Sequence, residues 1–199
     1  MKRMILLFLL ALALPMAAFA NNSVDFTNSG GSLTGSSAGL TLSGSTLIAM
    51  GSGGVITTGN NLGTIAFSTG ALSSGNLQNG ATFMAGGTFT ITGNGMGVPN
   101  GTIFSGTFSG PVTWTLVTLA NGTHNYTLTG ALTGTWMGGG TVNGATVQLT
   151  INTGKGFFNG STTISSGDTS IVVPEPGSLT LLGTGLVGLA GVIRRKLKV

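Results

Sequence analysis

Apolar and polar residues alternate in short runs through the middle of the chain. Thr88–Thr92 reads Thr-Phe-Thr-Ile-Thr, and Thr146–Asn152 repeats the pattern with Val, Leu and Ile. Period-two alternation predicts strands with one dry and one wet face, and threonine suits the wet face. Glycine recurs too often for stable helices, since each costs about 1 kcal/mol relative to alanine. We therefore predict roughly ten to twelve short strands in an all-β, antiparallel sandwich or barrel-like body.

Asn-Gly dipeptides separate these runs and predict turns between the strands. They are Asn79-Gly80, Asn94-Gly95, Asn100-Gly101, Asn121-Gly122, Asn143-Gly144 and Asn159-Gly160. Residues 28–80 are richer in Gly and Ser and weaker in alternation. For that part we expect loose order or a solenoid-like arrangement.

One hairpin can be predicted in register. A three-residue loop, Ala120-Asn121-Gly122, places Trp114 opposite Leu128 and Leu116 opposite Tyr126. A two-residue loop would set each dry face beside a wet one, so the three-residue loop is favoured. The outer face would then carry four threonines: Thr113, Thr115, Thr127 and Thr129.

The N-terminus, residues 1–20, has the features of a cleaved signal peptide. Lys2-Arg3 is the positive start, an apolar stretch from Met4 to Leu14 follows, and Ala18-Phe19-Ala20 supplies the small residues before a cut. Signal peptidase is the expected partner. The mature chain would begin at Asn21, outside the cytoplasm.

The C-terminus, residues 174–199, has three parts. Pro174-Glu175-Pro176 comes first, and Gly177–Ile193 is an uncharged, mostly apolar stretch. Its length is near the lower limit for a transmembrane helix. The basic tail, residues 194–199, contains Arg194, Arg195, Lys196 and Lys198. By the positive-inside rule this tail stays in the cytoplasm while the body, residues 21–173, lies outside.

This tripartite end resembles the PEP-CTERM sorting signal. The resemblance implies that a membrane-embedded protease, exosortase, recognises and removes the tail after a transient stay in the inner membrane. Proteins with this signal occur in Gram-negative bacteria that make exopolysaccharide, so delivery to the cell surface or the extracellular matrix is implied, with exopolysaccharide as a further partner. The signal is shared by unrelated bodies and implies neither fold nor activity for residues 21–173.

Charge is scarce in the body. Its charged residues are Asp25, Lys155 and Asp168, so the net charge of +4 for the whole chain comes from the two ends. A nucleic-acid partner is not expected, because phosphate neutralisation needs a basic patch. The chain has no cysteine, which excludes disulfides and cysteine-ligated metals.

Catalytic, metal and cofactor sites are not expected. One histidine, His124, beside a tight turn, is expected to be exposed, and Lys155 is expected in a turn. Asp25 and Asp168 form the one carboxylate pair that the body offers. The Gly35–Gly39 segment matches G-x-S-x-G but lacks a following helical pattern. The Gly183–Gly188 match to G-x-G-x-x-G has no acidic residue after it, so dinucleotide binding is not expected.

Aromatic residues raise a carbohydrate-binding alternative. The predicted register places Trp114 and Tyr126 in the core, which leaves Trp136 as the freer candidate for stacking on a sugar. The first hypothesis is an exported, non-enzymatic surface or matrix protein, and the alternative is a polysaccharide-binding β-module. A porin-like outer-membrane barrel comes third, because the outward faces are threonine rather than lipid-compatible side chains.

Overall fold

The computed structural model describes residues 23–172, and this part of the chain forms strands joined by turns and loops, without a helix. The predicted signal peptide, membrane helix and basic tail lie outside the described residues. The thirteen strands are β1 Ser23–Ser29, β2 Ser32–Ser36, β3 Gly39–Ser52, β4 Val55–Ser68, β5 Leu72–Asn76, β6 Gly80–Phe83, β7 Gly86–Asn94, β8 Asn100–Phe108, β9 Val112–Thr118, β10 His124–Trp136, β11 Thr141–Asn152, β12 Ser161–Thr163 and β13 Ser166–Val172.

Eight of these strands close into an antiparallel barrel. Their order is β11-β13-β1-β3-β4-β7-β8-β10, and β10 pairs with β11 to complete the ring. The expectation of an all-β antiparallel body is confirmed, and the barrel is the form that it takes. Closure leaves no unpaired edge within the ring, so the backbone donors and acceptors of these strands are satisfied by one another.

Two long strands extend beyond the ring and carry smaller sheets. The first half of β10 (124–129) pairs with β9, whereas its second half (132–136) pairs with β8. Strand β9 continues to β6 and β5. In the same way β3 pairs first with β2 and then with β1, and β2 carries β12. Both extensions lie at the end of the barrel at which β10 begins.

The barrel interior is filled with large apolar side chains. Phe67 and Phe89 stack with their ring centroids 5.8 Å apart, and the edge of Phe108 meets both rings. All three are buried, as are Phe26 and Phe104. Aromatic pairs of this geometry add about 0.5–1.5 kcal/mol each beyond their burial.

The predicted hairpin register is confirmed. Trp114 lies opposite Leu128, and Leu116 lies opposite Tyr126. Two backbone hydrogen bonds close the loop: Leu119 N–H donates to the Thr123 carbonyl, and Gly122 N–H donates to the Leu119 carbonyl. Gly122 has a φ of 80°, as the αL position of a three-residue loop requires. The threonines face outward, where the hydroxyls of Thr113 and Thr129 are hydrogen-bonded to each other.

The expectation of loose order over residues 28–80 is wrong. This segment contains β2 to β5, and β3 and β4 are the longest strands, with 14 residues each. Leucines still point inward at every second position, since Leu33, Leu40 and Leu42 are buried while the Ser, Thr and Gly residues between them face outward or lie near the surface. Because the outward residues are small and include glycine, the contrast between buried and exposed positions is weak in the sequence of this segment.

Two of the predicted Asn-Gly turns are also wrong. Asn100-Gly101 opens β8, and Asn143-Gly144 lies within β11. Opposite β10, the pairing skips Gly144, so Leu132 faces Ala145 and Thr133 faces Asn143. Gly144 has a φ of 81°. A glycine in this conformation suits a β-bulge as well as a turn, which explains the misassignment.

Candidate functional site

A concave groove on the outside of the barrel is the best-formed candidate site in the described residues. It has a volume of about 730 Å³ and crosses five neighbouring strands, β9, β10, β11, β13 and β1. Its lining is Asp25, Pro111, Thr113, Thr129, Gly130, Ala131, Thr146, Val147, Gln148, Asp168, Thr169 and Ser170. The side chains that reach the groove from outward positions are mostly polar, because β-strand alternation reserves the other positions for the core.

One residue from each of the five strands lies in a transverse row. Thr113 pairs with Thr129, Thr129 with Gln148, Gln148 with Asp168, and Asp168 with Thr27. With strands about 4.8 Å apart, the row spans about 19 Å. We call Thr113, Thr129, Gln148, Asp168 and Thr27 the polar row.

Hydrogen bonds hold both ends of the polar row. The Thr113 and Thr129 hydroxyls bond to each other at one end, and the Thr27 hydroxyl donates to Asp168 Oδ1 over 2.9 Å at the other. The exposed Gln148 lies between them. A row of hydroxyl, amide and carboxylate groups can donate to and accept from a polar ligand along its whole length.

The two carboxylates of the body meet at this groove. Asp25 pairs with Ser170, two residues beyond Asp168 on β13, so the aspartates are diagonal neighbours on one face. Both are exposed. Lys155 lies in a turn after β11, as predicted, and does not line the groove. The groove is therefore acidic.

His124 is buried, so the expectation that it is exposed is wrong. Only 8% of the residue is accessible, and the edge-to-face ring of Phe157 covers it with centroids 4.2 Å apart. The physical reason is register: His124 shares the inward parity of Tyr126 and Leu128 on β10. Its Nδ1 has no hydrogen-bond partner among the described residues.

The Ser/His/Asp arrangement that can be drawn from the sequence is not assembled. His124 points inward from β10, whereas Asp168 points outward from β13. The Gly35–Gly39 segment is a β-hairpin turn in which Ser36 pairs with Gly39, and a strand follows it instead of a helix. This geometry is not that of a nucleophile elbow.

The aromatic residues confirm the predicted core positions. Trp114 and Tyr126 are buried and stack with centroids 5.0 Å apart. Trp114 Nε1 donates to the Leu77 carbonyl, and the Tyr126 hydroxyl donates to the Gln78 carbonyl. Trp136 is partly buried, with its ring centroid 6.2 Å from that of Phe26, so it too contributes to packing rather than standing free.

No signal in the sequence points to the groove. The sequence offers Asp25 and Asp168 only as a carboxylate pair, and nothing distinguishes Gln148. The outward parity of these residues can be read from the alternation of each strand. Their convergence cannot, because it requires β13 to pair on one side with β11 and on the other with β1, which lies more than a hundred residues away along the chain.

No group of three or more His, Cys, Asp or Glu side chains within residues 23–172 could hold a metal ion. A helix with the length and apolarity to cross a bilayer is likewise not found in this range.

Comparison with known proteins assigns the C-terminal region. Residues 172–196 match the PEP-CTERM protein-sorting motif, in agreement with the resemblance seen in the sequence. No curated protein matches the chain, and no solved structure matches it either. The motif identifies an exported protein that is sorted to the cell surface by a C-terminal route and processed by exosortase.

Proposed function

We propose that this protein is a non-enzymatic component of the cell surface or the extracellular matrix, where it associates with exopolysaccharide. The observation that carries the proposal is the PEP-CTERM motif at residues 172–196 joined to a barrel whose outward face is rich in Thr, Ser and Asn. A hydroxyl-rich face with few charged side chains offers hydrogen bonds without strong long-range charge, which suits contact with a hydrated polymer.

The route to the matrix has three steps in this proposal. Signal peptidase cuts before Asn21, the apolar segment 177–193 stops in the inner membrane with the basic tail in the cytoplasm, and the sorting protease then releases the body. Each step follows from the composition of the segment concerned. The body carries the function, and the two ends serve delivery.

Cell fractionation tests this proposal. The native chain should be recovered in the extracellular matrix fraction, and a chain with Pro174, Glu175 and Pro176 all replaced by alanine should remain with the membranes. Lys155→Gln is the matched control, because it changes a charge in an exposed turn of the body and leaves the motif intact. Native protein found only in the membrane fraction, or a triple variant that reaches the matrix, would contradict the proposal.

A polysaccharide-binding module is the second candidate, and the acidic groove favours it. With Trp114 and Tyr126 buried, sugar stacking on those two rings is not the mode of binding; the polar row provides hydroxyl, amide and carboxylate groups instead. Asp25 and Asp168 would repel an anionic polymer, so the ligand would be a neutral or amino-bearing polysaccharide.

Affinity electrophoresis separates the two candidates. Residues 21–173 are run through gels that contain the host's own polysaccharide, together with the variants Gln148→Ala and Asp168→Asn. The control is Thr102→Ala on β8, an exposed threonine outside the groove. Binding through the groove predicts retardation of the native chain and of the control, with loss in both groove variants. Equal retardation of all four chains would contradict a groove site.

A further inference from the structure

The end of the barrel from which the chain leaves also carries its most exposed apolar side chains. Strand β13 ends at Val172, opposite Ser23 at the start of β1, and Val24 is paired with Ser52 beside the β3–β4 turn. Both chain exits and this turn therefore lie at one end, which we call the terminal end.

Two further loops belong to the terminal end. The β7–β8 loop (95–99) packs beside the start of β4, where a Cβ placed on Gly97 would lie 3.0 Å from Thr57 Cγ2. The β10–β11 loop (137–140) is held to β8 by the bond from Met137 N to the Ile103 carbonyl, 2.8 Å long.

Each of these segments presents an apolar side chain to solvent. Ile56 is 72% exposed, Met96 69% and Val55 68%. Met137 and Val172 add two more at the same end. Val55 and Ile56 are consecutive residues of a strand and point to opposite sides, so the β3–β4 hairpin tip projects beyond the barrel wall. Five of the nine large exposed apolar residues of the described chain thus share this end.

The turn and loops at this end are uncharged and rich in glycine. The β3–β4 turn is Gly53-Gly54, the β7–β8 loop reads Gly-Met-Gly-Val-Pro, and the β10–β11 loop reads Met-Gly-Gly-Gly. The opposite end bears Lys155 in its β11–β12 loop. The nearest charged side chain is Asp25 on the barrel wall, which pairs with Gly51, the partner of Ile56. An uncharged loop with a protruding apolar residue can enter a lipid interface without desolvating a charge, and Asp25 limits the depth of entry to the tips of the turn and loops.

The short connection between β13 and the C-terminal apolar segment limits the distance between the terminal end and a membrane that holds this segment. Only residues 173–176 separate Val172 from the apolar segment that starts at Gly177. The five Cα–Cα steps from Val172 to Gly177 span at most about 18 Å when fully extended. If the apolar segment is embedded, as the proposed function requires, the terminal end cannot lie farther than this from the point where the segment enters the bilayer.

We propose that the terminal end of the barrel docks on the lipid bilayer before sorting, with Val55, Ile56 and Met96 inserted in the interface. The inference rests on the membrane anchor of the proposed function and names the surface that faces the membrane. A second copy of the chain is the competing occupant of the apolar surface, but the short connection to the anchor favours the bilayer.

Single-cysteine labelling tests this docking, because the chain contains no cysteine of its own. The chain from Asn21 to Val199 is placed in vesicles of phosphatidylethanolamine and phosphatidylglycerol, with an environment-sensitive fluorophore at one introduced cysteine. Met137→Cys and Leu119→Cys form a matched pair, because these residues are 41% and 40% exposed and lie at opposite ends of the body. Ile56→Cys and Met96→Cys test the most exposed positions.

Docking predicts that labels at 56, 96 and 137 shift their emission to the blue and are quenched by nitroxide-bearing lipid, while the label at 119 does neither. Equal emission and equal quenching at all four positions would overturn the docking surface. Blue-shifted emission at 56 without quenching by the lipid would assign the surface to a second copy instead. Failure of the chain to float with the vesicles would refute the anchor of the proposed function, and the docking with it.

Discussion

Removing the Tyr126 hydroxyl should destabilise the body although no ring is lost. This hydroxyl donates to the Gln78 carbonyl over 2.7 Å and accepts from the Phe158 backbone N–H over 3.1 Å. Tyr126→Phe keeps the stack on Trp114 and leaves both backbone groups without their partner. The Phe158 N–H is buried, so its desolvation costs about 1–3 kcal/mol, whereas the carbonyl of the exposed Gln78 can bind water.

The expected loss is therefore about 2 kcal/mol in the free energy of unfolding, which corresponds to roughly 4–8 °C in Tm for a chain of this size. Urea titration of residues 21–173, followed by circular dichroism, measures it. Thr127→Val is the matched control, since it deletes a hydroxyl from the next residue on the outward face, and it should change the free energy by less than about 0.5 kcal/mol. If Tyr126→Phe is no more destabilising than Thr127→Val, the buried hydroxyl does not bridge the two segments.

Three further predictions concern the bulge and the two ends. Gly144→Ala should lower the free energy of unfolding by about 1 kcal/mol or more in the same urea titration, because Gly144 has a φ of 81°. Gly110→Ala is the control and should be close to neutral, because Gly110 has equally open space for a Cβ but no positive φ. Edman sequencing of extracellular protein should start within a few residues of Asn21, and an intact Met1 would contradict the signal peptide. Replacing the four Lys and Arg residues of the basic tail with glutamine should impair membrane retention and sorting, because each positive charge near anionic lipid contributes about 1 kcal/mol of binding free energy. The strand-rich circular dichroism of the body should not change. Normal sorting of this variant would contradict the anchoring role.

Local pairing was predictable from the sequence, and long-range closure was not. The β9–β10 register follows from one loop and the demand that dry faces match, so Trp114 and Leu128 could be paired in advance. The ring itself depends on β13 pairing with β1 and β11, and no local feature of residues 166–172 specifies those partners. The acidic groove is a product of that closure.

Two local errors have physical causes. His124 was expected at the surface because it is polar and near a turn, but its parity on β10 points it inward and Phe157 covers it. Asn143-Gly144 was expected to be a turn because glycine with positive φ occurs in both turns and bulges. In each case the pairing of the strand, rather than the residue type, determined the outcome.

We propose that the C-terminal segment is a disposable sorting signal and that the barrel is the working protein. The motif match at residues 172–196 begins at Val172, the last residue of β13, so removal of the residues beyond it would leave every strand of the barrel intact. Intact-mass measurement of protein released from the cell surface distinguishes a removed sorting signal from a permanent anchor. The predicted mass is that of a chain starting near Asn21 and lacking Leu179–Val199. A released protein whose mass still includes the basic tail would make the segment a permanent anchor and contradict delivery to the matrix.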